Sequence, residues 1–352
     1  MIRRNRLSIV LMAVTMALAS NPPAATAQGE ARTAARPHGV DPLTAQVRAD
    51  DADRFAEIFA QARGQPTESQ LQTGYLDGAG AGVEIFTGGR IRDAANLAEA
   101  IAKDPAAYER AIRVCLPIAK AASADLRAIY LGLAEIFPDR PLPELHVVFG
   151  AGNSGGTVGV TPEGNGAQVL GLEVICATSK TPAEIRRTLR RFFAHETVHV
   201  IQNEAGAATA DYAADPLLVA SLREGFADFI AGLVTGDVPD PERDDWARAR
   251  ESQVWTDFAA DRHALAAMMA DGVTLDALTP DALALIMRWH MNYGIAPDGW
   301  PSELGYWVGQ RVCQTYFDRA EDKRKAIADL LIMKDPEAIF AASGVANSPA
   351  AH

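Results

Sequence analysis

His195-Glu196-Thr197-Val198-His199 is the stretch on which the reading of this chain turns. Its pattern is H-E-x-x-H. On a helix, residues four apart lie on one face with β-carbons about 5–6 Å apart. Two imidazoles so placed can hold one Zn²⁺ through nitrogens at about 2.0–2.1 Å. Glu196 sits beside that face and can reach a water there as general base without being a ligand.

The flanking residues predict that this stretch is helical. Thr181-Pro182-Ala183-Glu184 supplies an N-cap, a proline at the first helical position and a capping-box glutamate. Ile185, Leu189, Phe192, Glu196, His199 and Asn203 then fall on one face, so an apolar stripe runs into the metal face. Arg186, Arg187, Arg190 and Arg191 lie on the other side and read as a solvated face. Gly206 is the expected stop.

Two histidines need a third ligand. A metzincin would have glycine at 202 and histidine at 205, where this chain has Gln202 and Ala205. A glutamate from a second helix is the other standard completion. Asp215-Pro216 opens such a helix, on which Leu217, Ser221, Glu224, Asp228 and Ala231 share a face. Two acids within an apolar stripe point to a buried polar task. Glu224 is the expected third ligand, and Asp228, one turn on, the acceptor for the outer N–H of a ligating histidine.

H-E-x-x-H followed by E-x-x-x-D on the next helix resembles the gluzincins, the thermolysin-like clan of zinc metallopeptidases. The resemblance implies His195, His199 and Glu224 as ligands of Zn²⁺, Glu196 as base and Asp228 as the histidine's support. Arg223-Glu224-Gly225-Phe226-Ala227-Asp228 also resembles a bacterial family of zinc-dependent proteases known mainly by sequence and related to a gliding-motility lipoprotein. Gly150–Thr157 and Gly305-Tyr306-Trp307-Val308-Gly309 fit it as well. This chain has no cysteine near its N-terminus to lipidate, which sets it apart from the lipoprotein.

Enzymes of the gluzincin kind add a Tyr or His donor downstream of the third ligand. Tyr293, Tyr306, His263 and His290 qualify by position. Tyr306 is favoured, because Gly305 and Gly309 let a helix start pack closely; its alternative is a core tyrosine beside Trp307. His263 and His290 also stand as alternative ligands, whereas His38 and His146 are isolated and read as structural or surface residues.

Residues 1–27 read as a secretory signal peptide: Arg3, Arg4 and Arg6, an apolar stretch from Leu7 to Ala19, and the small-residue site Ala25-Thr26-Ala27. An apolar run of about 13 residues is too short to span a bilayer. A periplasmic or secreted protein is expected, without stable membrane insertion. Loss of the three arginines takes the net charge from −12 to −15, which argues against binding nucleic acid. Cys115, Cys176 and Cys313 fit no zinc spacing. One disulfide with one buried thiol suits an oxidising compartment, three buried thiols are the alternative, and the sequence does not choose a pair.

Residues 28–48 read as a flexible lead-in, 49–140 as a helical region, 141–343 as the catalytic domain and 344–352 as a tail. Helices are expected at 50–63, 91–103 and 105–137, the last kinked at Pro117. Residues 64–89 read as loop with a short strand at Val83–Phe86. Strands are expected at Leu145–Phe149, Val158–Val160 and Val169–Ile175, with glycine-rich loop between the first two. After a turn at 236–241, helices are expected at about 242–271, 280–291, 302–319, 322–333 and 335–342.

The expected fold is α+β, mostly α: a zincin-like fold with a small mixed sheet on the active-site helix, one sheet edge taking a peptide as an added strand. The expected function is hydrolysis of peptide bonds in a peptide or protein substrate. A non-catalytic zincin-fold binding or envelope-structural protein with a structural metal is the alternative.

Overall fold

The computed structural model describes residues 39–207, 215–274 and 277–345. The expected signal peptide, most of the lead-in and most of the tail lie outside these residues. The described chain is mostly helical with one four-stranded mixed sheet. Among the described residues no helix is long and apolar enough to cross a membrane.

The sheet comprises β1 (Val47–Arg48), β2 (Glu144–Val148), β3 (Gly156–Val160) and β4 (Gly166–Gly171), in the order β1-β2-β4-β3. β2 and β4 run parallel; β3 and β4 form an antiparallel hairpin that leaves β3 on the edge. Val147, Val148, Val169 and Leu170 are fully buried, as expected of inner strands covered on both faces. Helices from the first hundred residues cover one face: Phe55 stacks on Phe149 at 4.5 Å, and Tyr75 both donates to and accepts from the Phe149 backbone at 2.9 Å. On the other face lies the helix carrying the H-E-x-x-H motif. Gln168 of β4 ties the layers together, its amide donating to the Phe193 carbonyl at 3.2 Å and the Tyr130 hydroxyl at 3.0 Å.

Four local expectations are corrected. Val83–Phe86 is not a strand but part of a helix, Ala81–Phe86. Its N-terminal N–H groups on Gly80 and Val83 are capped at 3.1 and 3.2 Å by the carboxylate of Asp51. The capping group comes from another helix, so local residues carry no sign of it. Residues 64–89 accordingly hold helical turns at Glu68–Leu76 and Ala81–Ile91 where loop was expected. Leu172–Ile175 likewise leaves the sheet: β4 stops at Gly171 and Leu172–Ala177 coils, burying Leu172, Ile175 and Cys176. Residues 105–137 are not one kinked helix. A wide π-helical turn, Ala111–Cys115, precedes Pro117, and the chain breaks again at Ala122. Proline lacks the N–H for the i→i−4 bond, and the wider turn absorbs the loss.

The fourth correction concerns the arginines of the motif helix. Arg186 and Arg187 are both exposed, as a solvated face requires, but Arg186 also bonds Asp125 at 2.7 and 2.9 Å. The half-buried Arg190 and Arg191 depart from the expectation: Arg190 shares Asp125 and reaches the Thr235 carbonyl at 3.2 Å, and Arg191 bonds the Pro239 carbonyl. This face anchors neighbouring segments. Cys115 and Cys176 form a disulfide across 61 residues, and Cys313 is a buried free thiol.

Candidate functional site

The motif helix runs Pro182–Glu204 and begins as its sequence demands: the Thr181 hydroxyl accepts from the Glu184 N–H and the Glu184 carboxylate accepts from the Thr181 N–H. Residues Phe193–Gln202 are all buried, so the motif lies in the middle of the molecule. Gly206, at φ 76°, follows the helix end. The second helix, Pro216–Thr235, is capped by the Asp215 side chain at the Leu218 N–H, 2.9 Å.

These helices bring His195, His199 and Glu224 together. The two Nε2 atoms are 3.0 Å apart, and Oε2 of Glu224 lies 3.0 Å from His199 Nε2 and 3.3 Å from His195 Nε2. Such separations suit three corners of a tetrahedron around a cation with bonds of about 2.0 Å. The far side of each ring is held: Nδ1 of His195 by Asp228 at 2.9 Å, Nδ1 of His199 by the Gln202 oxygen at 2.7 Å. Those acceptors place the protons on Nδ1 and leave the Nε2 lone pairs aimed at one point. Burial favours the neutral His195 ring, yet the carboxylates of Asp228 and Glu224 push its pKa up to about 10, so Nε2 draws a positive charge, either a proton or a cation in the proton's place. Glu224 is held well below the usual carboxylate range against burial, chiefly by the two histidines. The cluster thus calls for positive charge, and this buried group could hold a metal ion.

Glu196 is buried next to this group, and among the described residues its carboxylate has no hydrogen-bond or ion-pair partner. Its near neighbour is β3: a β-carbon at Gly156 would collide with Oε1 of Glu196. A side chain at 156 would force the Glu196 carboxylate to move, so glycine here lets the base and the edge strand lie side by side.

Asp228 does more than hold His195. Its second oxygen accepts from Arg243 at 2.7 Å, and both residues are buried. Arg243, on the helix Pro241–Arg248, also lies over the Tyr306 ring at 5.2 Å and donates to the Glu303 carbonyl at 3.2 Å. The Tyr306 ring is parallel to the His195 imidazole within 8°, centroids 5.9 Å apart. Burial, then the carboxylates of Glu224, Glu303, Asp228 and Glu196, raise its phenol well above the usual value, so the hydroxyl remains a donor. Two glycines allow this approach. Gly309 meets the Ser221 carbonyl backbone to backbone on the second helix, and Gly305 abuts the ring of His290.

Other candidates fall elsewhere. His263 is exposed and bonds the Ala259 carbonyl of its own helix at 3.0 Å; Tyr293 is exposed. His290 is buried with Nε2 3.0 Å from the Ser221 hydroxyl, and burial depresses its pKa to about 4. His146 is a buried strand residue 3.2 Å from Glu144. The sequence reading did not find Gln202 or Arg243. Gln202 stands three residues after His199, a spacing that faces it on a helix. Arg243 carries no local signal, since its partner is fifteen residues away on another helix.

No family model, no curated protein and no solved structure matches the chain.

Proposed function

We propose that this chain is an exported zinc-dependent peptidase with a zincin-like fold. The observation that carries the reading is the convergence of His195, His199 and Glu224 beside a carboxylate, Glu196, that no other side chain among the described residues occupies. Two imidazoles and one carboxylate favour zinc among the divalent ions. Held by His195, His199 and Glu224, a zinc ion would supply Lewis-acid polarisation and lower the pKa of water toward about 7.

The protein groups divide the remaining work. Glu196 takes the proton of the attacking water and passes it to the leaving nitrogen. Tyr306 donates its hydroxyl hydrogen to the carbonyl oxygen as negative charge develops there. Asp228 and Gln202 hold the imidazoles in orientation. β3 supports the assignment of substrate binding: it pairs antiparallel with β4, among the described residues its outer edge has no strand partner, and its first residue packs against Glu196. A peptide added to that edge would bring its backbone past the base.

The decisive experiment is Glu196→Gln. The amide preserves shape but takes no proton, so metal content and fold should persist while digestion of a peptide library falls by orders of magnitude. Undiminished digestion by this variant, or none by the zinc-loaded wild type, would leave the structural-metal alternative in place.

A further inference from the structure

The packing of β3 against the motif helix continues beyond Glu196. Gln168 and Gly166 of β4 face the motif helix, so Val158 and Val160, their partners on β3, face it too. Gly156 to Val160 covers about 13 Å of strand. Glu196 to Glu204 covers about 12 Å of helix. The two elements therefore run side by side, from Gly156 against Glu196 at one end to Gly166 against Val200 and Glu204 at the other.

At that far end, beside Val160 and Glu204, lies a cavity of about 670 Å³, within the range of ligand pockets. Pro138, Pro141, Val160 and Val200 give it apolar walls, and Asp139, Arg140 and Glu204 give it charge. Among the described residues none of these three side chains forms an ion pair; burial raises the Glu204 carboxyl pKa and the charge of nearby Arg140 partly opposes it, while Asp139 adds a second carboxylate. Val160, at 65% exposure, is a large apolar residue left open at a strand edge.

We infer that this cavity is a distal subsite for the peptide, taking a lysine or arginine side chain about four residues from the cleaved bond. The inference rests on the proposed peptidase reading. The distance follows from the strand: a chain paired with β3 advances one residue per step and reaches Val160 four steps from Gly156. The residue class follows from the lining. Apolar walls accommodate an aliphatic stem, and two carboxylates outnumber one guanidinium around the charged head. The net charge of −12 adds a field of the same sign.

The test is a cleavage profile of the zinc-loaded full chain on a proteome-derived peptide library. Wild type should enrich Lys and Arg at the third or fourth position on one side of the cleaved bond. Glu204→Lys should shift the Lys-to-Glu ratio of kcat/KM there by about three- to tenfold, the scale of an exposed charge contact reversed in sign. Val160→Trp should flatten the preference by filling the cavity. Peptides too short to reach it should be cleaved equally by all three proteins. A flat wild-type profile, or a preference unchanged in Glu204→Lys, overturns the subsite. If wild type cleaves nothing, the peptidase reading fails, and fluorescence anisotropy decides the cavity separately. Labelled Lys-rich and Glu-rich decapeptides binding wild type and Glu204→Lys with equal affinities would refute it; Lys-rich binding lost in Glu204→Lys would uphold it.

Discussion

Nδ1 of His195 and Oδ1 of Asp228 lie 2.9 Å apart, joining the two helices that supply the His195, His199 and Glu224 group. Because the other Asp228 oxygen is bonded by buried Arg243, one carboxylate connects His195 to a third helix. Asp228→Ala should weaken zinc binding by roughly 10–100-fold, measured by chelator competition. Arg243→Met should act chiefly on stability, since it leaves a buried carboxylate without its cation; a loss of about 3–5 kcal/mol is expected by denaturant titration of the zinc-loaded protein. Unaltered zinc affinity in Asp228→Ala would reduce that residue to a packing role.

The ligand assignment can be counted. Purified protein should hold about one zinc per chain by elemental analysis, and His195→Ala, His199→Ala and Glu224→Ala should each lose it. His290→Ala should retain it, because His290 is engaged with Ser221 rather than with the group. Full occupancy in Glu224→Ala would break the assignment.

Tyr306 lies flat along His195 under Arg243. If its hydroxyl serves the developing oxyanion, Tyr306→Phe should lower kcat by roughly 10²–10³ with KM and zinc content nearly unchanged. Normal turnover would leave the ring as packing and make His290 the next donor to examine.

Glu173 offers a pH test away from the metal group. Its carboxyl is buried, accepts from the Gly152 N–H at 3.2 Å and leaves Oε2 without a partner. Burial raises its pKa from 4.5 to about 7 despite the backbone bonds from Gly150, Glu173 and Gly152. A carboxyl raised on folding binds more protons folded than unfolded. Its contribution is therefore complete below the unfolded value and is lost as pH climbs through the folded one, at most about 3 kcal/mol over that window. Calorimetry from about pH 5 to 8 should show a shallower decline of Tm in Glu173→Gln than in wild type. Parallel curves would mean that Glu173 is ionised throughout.

What the sequence determined is what helical periodicity and local capping determine. His195 and His199 four apart share a face wherever their helix goes, and Glu224 and Asp228 four apart do likewise. Thr181, Glu184, Asp215 and Pro216 mark where these helices start, because a cap acts within one turn. The mostly helical class and the small sheet before the motif were readable for the same reason.

The tertiary structure decided whatever depends on partners distant in the chain. Val83–Phe86 has the composition of a strand, yet Asp51 caps it as a helix. Leu172–Ile175 continues an apolar run but coils beyond Gly171. Three cysteines allow three pairs, and only the fold brings Cys115 to within 5.9 Å of Cys176, Cα to Cα. Arg243 reaches Asp228 from another helix, and β3 becomes the edge beside Glu196 because β4 takes the inner place against β2. Periodicity fixes which face a side chain takes; packing between elements fixes what that face meets.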